Sequence, residues 1–296
     1  MPWHTRYNNF VNNAFGLSPA ILQHAELSWN GINFGSSEPL IVREYLHAPT
    51  YGLSYLNRHV SPLLSQAGYE MKFAGIFVHQ KPRITRTHAT NNRQCELGDL
   101  LVIFTFLDAA KNPLLNRAFL VQAKKFLPMT NICQLDLYDH DTEFNMPAVI
   151  CNQSRCSRLP LRRLPSTVNK RWRALKYMFC PGMPVQMLYV PSVCGIRSSF
   201  AIPLLGIITG FDGLKFSRQP YSGNGWSAII WDLIDVVAPS IIRGTAITRG
   251  TNLQHLVRLF NDFNDHEKYF REVEDDNASG MSMMFIIVRD KESHLD

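Results

Sequence analysis

Apolar residues recur at three- and four-residue spacing through Leu53, Leu56, Val60, Leu63 and Leu64, which predicts a helix over residues 51–67. Pro62 has no amide hydrogen for a helix interior, so this helix must kink or divide there, and Gly68 ends it. Residues 72–78 follow as a first strand. The clearest local unit is 97–124. Residues 97–107 are rich in Leu, Val, Ile, Phe and Thr, 108–113 are turn material, and 117–124 form a second apolar run that closes on polar side chains. Together they predict a β-hairpin. Downstream, the pattern predicts a helix over 166–179 opened by Ser166, with basic residues on one side and Trp172, Leu175 and Phe179 on the other, then a strand over 185–191. Short strands over 202–209 and 283–288 alternate with helices over 226–237 and 252–273. Trp226, Ile229, Ile230, Leu233 and Ile234 make a strong apolar stripe on the first of these helices. Residues 1–40 are rich in Asn, Ser and Gly, with one helix over 19–29 opened by Ser18 and Pro19. The expected organisation is an N-terminal extension (1–40), a core (41–195) and a C-terminal α/β extension (196–296) packed on it.

Composition narrows the class. A hydrophobic fraction of 46% with 18% charged residues fits a folded globular chain and excludes a disordered one. The apolar runs are too short or interrupted to span a membrane, and residues 1–15 carry His, Arg and Asn where a signal peptide needs a continuous apolar segment. No membrane association is expected, and the cytoplasm is the default location. The six cysteines show neither the density of a disulfide scaffold nor a paired spacing for zinc, and read as free thiols. Cys151, Cys156 and His140 lack a partner to complete a tetrahedral set. The net charge of +6 is unevenly spread. Residues 144–211 contain no Asp or Glu but carry Arg155, Arg158, Arg162, Arg163, Lys170, Arg171, Arg173, Lys176 and Arg197. Such a stretch attracts a polyanion, or is simply a solvated basic loop.

Candidate chemistry sits in the hairpin. A turn near Lys111 places Asp99 opposite Ala123, between Gln122 and Lys124, whose side chains point the same way. A one-residue change of register, as at a bulge, brings Asp99 onto that face as well. Magnesium takes oxygen ligands, which the Asp99 carboxylate, the Gln122 side-chain carbonyl and the Ala123 backbone carbonyl could supply. Lys124 would lie beside the metal. A metal that acidifies water, next to an ammonium that stabilises developing negative charge, suits phosphodiester hydrolysis. In the plainer reading, Asp99 pairs locally and Lys124 with Lys125 forms a solvated strand edge that discourages aggregation.

The segments CELGDLLVIF (95–104) and FLVQAKKF (119–126) resemble the PD-(D/E)xK nuclease superfamily in its (E/Q)xK variant. The resemblance spans about residues 40–192 and implies an α/β, restriction-endonuclease-like core, αβββαβ, with a mixed central sheet flanked by helices. It also implies Mg2+ or Mn2+ dependence and cleavage of nucleic acid, DNA favoured. Asp99 matches the strand acid, Gln122 the first position of the (E/Q)xK element and Lys124 its lysine, with Glu96 as a helper. Gly98 stands where a proline is usual. Relatives add an acid from the helix before the first strand, a role for which Glu44 ranks ahead of Glu70. On this reading, the basic helix contacts phosphates through Lys170, Arg171, Arg173 and Lys176, joined by Arg162 and Arg163. Trp172 is expected in the core rather than stacked on a base. A homodimer or a larger prokaryotic defence assembly is the expected setting. The alternative is a catalytically silent nucleic-acid-binding or interaction module with the same fold.

Overall fold

A computed structural model describes residues 2–79, 82–87, 94–126, 131–241, 253, 270–273 and 280–291. Five helices come first: α1 (Trp3–Gly16), α2 (Ser18–Leu27), α3 (Glu38–His47), α4 (Gly52–His59) and α5 (Ser61–Ser65). The expected 51–67 helix is divided as Pro62 requires, with the proline in the first turn of α5. The chain then forms β1 (Tyr69–Val78), β2 (Arg83–Arg86), β3 (Gln94–Glu96), and the hairpin β4 (Leu100–Leu107) and β5 (Pro113–Lys124). Next come α6 (Ile132–Asp139), β6 (Glu143–Asn145), α7 (Ala148–Cys151), β7 (Leu161–Arg163), α8 (Val168–Ala174), β8 (Leu175–Phe179), β9 (Gln186–Tyr189) and β10 (Arg197–Ser199). The last elements are α9 (Ala201–Thr209), β11 (Leu214–Lys215), α10 (Trp226–Ile241), β12 (Phe270–Val273) and β13 (Ser282–Asp290).

The main sheet is mixed, in the order β10-β9-β8-β5-β4-β13-β1-β12, with β11 pairing to β5. Strand alternation sends side chains to two separate cores. Leu101 and Ile103 of β4 join Ala118 and Leu120 of β5 under α10 and α6, where Ile229, Ile230, Leu233 and Leu137 are buried. Leu100, Val102 and Phe104 face the other way with Phe119 and Val121, beneath Phe10, Ile21, Tyr45, Leu56 and Ile207 from the N-terminal helices and α9. Because helices cover both faces, β4 is buried at every position, which gives its sequence a continuous apolar run. A second, four-stranded sheet, β3-β2-β6-β7, lies apart from the main one.

Several expectations change. Residues 201–209 form helix α9, not a strand: Pro203 falls in its first turn and Gly210, at φ 89°, closes it in the left-handed conformation. The helix expected over 166–179 stops at Ala174, and 175–179 instead pair parallel with β5. Ser166 does not cap it; the residue before α8 is Thr167, without a side-chain cap bond. Ser18 opens α2 as its first residue rather than as its cap. The helix expected over 252–273 lies largely outside the described residues, and its end, 270–273, is strand β12. Nor does 196–296 form an extension packed on a finished core, because β13 runs inside the sheet, antiparallel to β1 and parallel to β4. No described helix is long and apolar enough to cross a membrane.

Candidate active site

The β4–β5 hairpin positions the expected triad. Its turn holds Lys111 at φ 64°, fixed by Lys111 N donating to Asp108 O at 3.0 Å and Asn112 N donating to Asp108 Oδ1 at 2.7 Å. A bulge between Phe106 and Leu107 shifts the register so that Leu100 faces Val121. Asp99, one residue earlier, therefore lies opposite Gln122, and the two side chains share a face with Lys124. That face is the one covered by α6 and α10.

Asp99 and Gln122 are buried at 3% and 0% exposure, and Lys124 is half-buried. Asp99 Oδ2 accepts from Ala123 N at 2.7 Å and from Gln122 Nε2. Its own amide donates to Val121 O at 2.8 Å, which pins the residue to the strand end. The close approach explains Gly98: a Cβ there would stand 2.9 Å from the Tyr138 hydroxyl and 3.2 Å from Val121 O. Tyr138 in turn donates to Leu97 O at 2.9 Å, and burial, reinforced by the Asp99 charge, holds its phenol well above the usual range. Burial likewise pushes the Cys180 thiol up to about 12, with the charges of Asp99 and Glu38 adding to it.

The donor set suits a hard cation. Gln122 Oε1 is buried with no hydrogen-bond partner among the described residues, beside a carboxylate whose Oδ2 already collects two donors. An orphaned buried acceptor is costly, and a cation bound at this oxygen would satisfy it. The Lys124 carbonyl accepts from Cys180 N at 2.8 Å on the β8 side. By alternation, the Ala123 carbonyl faces the opposite side, from which its own amide reaches Asp99. Asp99, Gln122 and Ala123 thus offer three oxygens but one charge, fewer ligands than a divalent cation such as Mg2+ or Mn2+ takes. No cluster of three His, Cys, Asp or Glu residues able to hold a metal is found among the described residues.

Glu44 does not join this set. Its carboxylate accepts from Tyr51 OH at 2.6 Å and Asn33 N at 3.1 Å, and α3 buries Ile41, Val42 and Tyr45 in the core on the opposite face of the sheet. Glu70 is engaged by Lys72 and Arg289, and Glu96 accepts from Gln134 at 3.4 Å. Glu38, at the start of α3, comes near the strand end, its Oε1 accepting from Lys125 N at 3.1 Å, one residue beyond Lys124. It was not foreseen, because the helix preceding the first strand had been placed over 51–67. The signal available was Pro39 in the first turn of a helix, directly after Glu38.

The basic set is largely withdrawn from solvent. Arg162 is fully buried and donates to Asp232 and to the carbonyls of Ser157, Leu159 and Leu161. Arg171 is buried against the carbonyls of Tyr138 and Asp141. Lys176 is fully buried, donating to Asp212 Oδ1 and Trp172 O, each at 2.7 Å. These three do not form a phosphate-contacting face. Arg173 is half-buried; Lys170 and Arg163 are exposed, the latter paired with Glu143 at 2.9 Å. Trp172, expected in the core, is 37% exposed against Tyr189.

Comparison with known proteins finds no matching family model, no similar curated protein and no similar solved structure.

Proposed function

We propose that the chain is a metal-dependent nuclease, with Asp99, Gln122 and the Ala123 carbonyl as the cation-holding set and Lys124 as the charge-stabilising group. The observation that carries this is the convergence of an acid, an amide with an orphaned oxygen and a lysine on one face of two paired strand ends. A bound Mg2+ or Mn2+ would lower the pKa of a coordinated water and offset charge on the phosphodiester. Lys124, which has no ion-pair partner among the described residues, is positioned to stabilise the negative charge that develops on the phosphoryl oxygens. In this reading, α3–α5, β1, β4, β5, α8 and β8 are the restriction-endonuclease-like core, with β13 inserted between β1 and β4. DNA remains the favoured substrate, and a prokaryotic defence role the favoured setting.

The test is incubation with plasmid DNA, single-stranded DNA and RNA in Mg2+, Mn2+ or EDTA. Metal-dependent cleavage by the wild-type protein, lost in Lys124→Ala and Asp99→Asn, is expected; normal cutting by either variant overturns the assignment. A second reading, the same fold as a silent interaction module, is favoured by the burial of Asp99 and by its bonds to Gln122 and Ala123. It expects no cleavage under any of these conditions.

A further inference from the structure

The other face of the sheet carries an unbalanced cluster of cations. Arg171 is held by the carbonyls of Tyr138 and Asp141 alone, while three other deeply placed arginines have a carboxylate partner: Arg86 pairs with Asp141, Arg155 with Asp235 and Arg162 with Asp232. Arg117 of β5 and Arg173 of α8 do not. Among the described residues neither Arg117 nor Arg173 forms an ion pair; their guanidiniums donate to backbone carbonyls of the turn between α9 and β11, and Arg117 also lies against the Tyr7 hydroxyl. Arg117 Nη1 donates to Gly213 O at 3.3 Å and Arg173 Nη2 to Gly210 O at 2.6 Å. Arg117 is 7% exposed. The nearby Asp212 is already committed, taking Lys176 on Oδ1 and the Tyr189 hydroxyl on Oδ2 at 3.2 Å. Lys215 of β11 stands directly across the ladder from Arg117 and adds a further positive charge at the rim.

The donors around this turn exceed the acceptors. The Tyr7 hydroxyl, Arg117 Nε and Arg173 Nε are buried without hydrogen-bond partners among the described residues. Gly210 lets the turn pass close against both groups: a Cβ there would lie 2.8 Å from the Tyr7 hydroxyl and 3.0 Å from Arg117 Nη2, too near for any side chain. Burial, and after it the nearby Arg117 charge, lowers the Arg173 pKa. Unpartnered, partly desolvated cations are costly, and a small anion would offset that cost. Two guanidinium forks with a hydroxyl match the oxygens of a tetrahedral oxyanion.

We propose that Tyr7, Arg117 and Arg173, gathered around the Gly210–Gly213 turn, form a binding site for a phosphoryl oxyanion. The site lies across the sheet from Asp99 and does not depend on the nuclease reading. Exposed Phe211 and Lys215 and half-buried Arg173 mark the side from which the anion enters.

The experiment is a titration of the full chain with inorganic phosphate and, separately, adenosine 5′-monophosphate, followed by thermal stability and calorimetry against chloride at equal ionic strength. Phosphate is expected to raise the wild-type Tm above the chloride control. Arg173→Gln, which removes a charge-assisted donor, should weaken binding about tenfold. Tyr7→Phe, which removes only a hydroxyl, should weaken it less, and Arg83→Gln, an exposed arginine on the second sheet, not at all. Tighter binding of inorganic phosphate would assign a free anion, and tighter binding of the monoester a phosphorylated small molecule; both support the site. A wild-type protein indifferent to phosphate over chloride, or wild-type affinity in both Arg173→Gln and Tyr7→Phe, would overturn it.

Discussion

At single positions, the chemistry follows from what each buried polar atom is forced to accept. Gln122→Glu would set a second carboxylate against Asp99, so the variant should melt lower than wild type in EDTA and gain more from added Mn2+; thermal unfolding in both conditions checks this. Cys180 carries a pH signature. Its folded thiol keeps its proton to about 12, whereas the unfolded one releases it near the ordinary value of 9.0. The folded state binds more protons in that window, so its contribution to stability is complete below 9 and is lost as pH rises towards 12. Cys180→Ala should flatten the alkaline fall in stability, measured by urea unfolding across that range. That Asp99, Gln122 and Lys124 share one face was legible in the sequence, because two-residue alternation and a short turn are local rules. The fate of the basic residues was not. Lys176 and Arg162 find their carboxylates 36 and 70 residues away, outside the acid-free window that made the segment look like a surface. Local charge counts do not see such pairings.

At the scale of elements, hydrophobic period decided most assignments, and failed where a short apolar run fits either regular structure. Residues 201–209 are apolar nearly throughout; burial on most sides erases periodicity, and only Pro203 and Gly210 mark the segment as a helix. Residues 175–179 continue the helical spacing of α8, yet pairing with β5 supplies a full backbone ladder that a longer helix would forgo. Helix α1 escaped notice because only Phe10 and Ala14 of its residues are buried, amid several Asn. The hairpin was legible because both strands and the turn agree. Its stability should rest on residues such as Phe104, fully buried, tilted against Tyr7 and stacked on Phe10. Phe104→Ala should cost about 3–5 kcal/mol, read from the urea midpoint at unchanged slope.

Across the whole molecule, the feature no local pattern announces is β13, whose partner β1 lies about two hundred residues earlier, as in the bond from Val78 N to Ser282 Oγ. The strand itself was expected from its apolar run; its place between β1 and β4 was not, since register across so long a separation leaves no spacing to read. Ile286 pairs with Phe73 on one side and Phe104 on the other. Ile286→Pro removes a ladder donor and should abolish the cooperative unfolding transition seen by circular dichroism. The same placement imposes an order of birth. As the chain leaves the ribosome, β1 and β4 emerge as two unjoined edges and stay so while nearly two hundred further residues are made. Each edge bares backbone donors and acceptors to any strand in reach. The nascent protein is therefore most exposed to mispairing late in its synthesis, and should depend on chaperones until β13 arrives to close the gap.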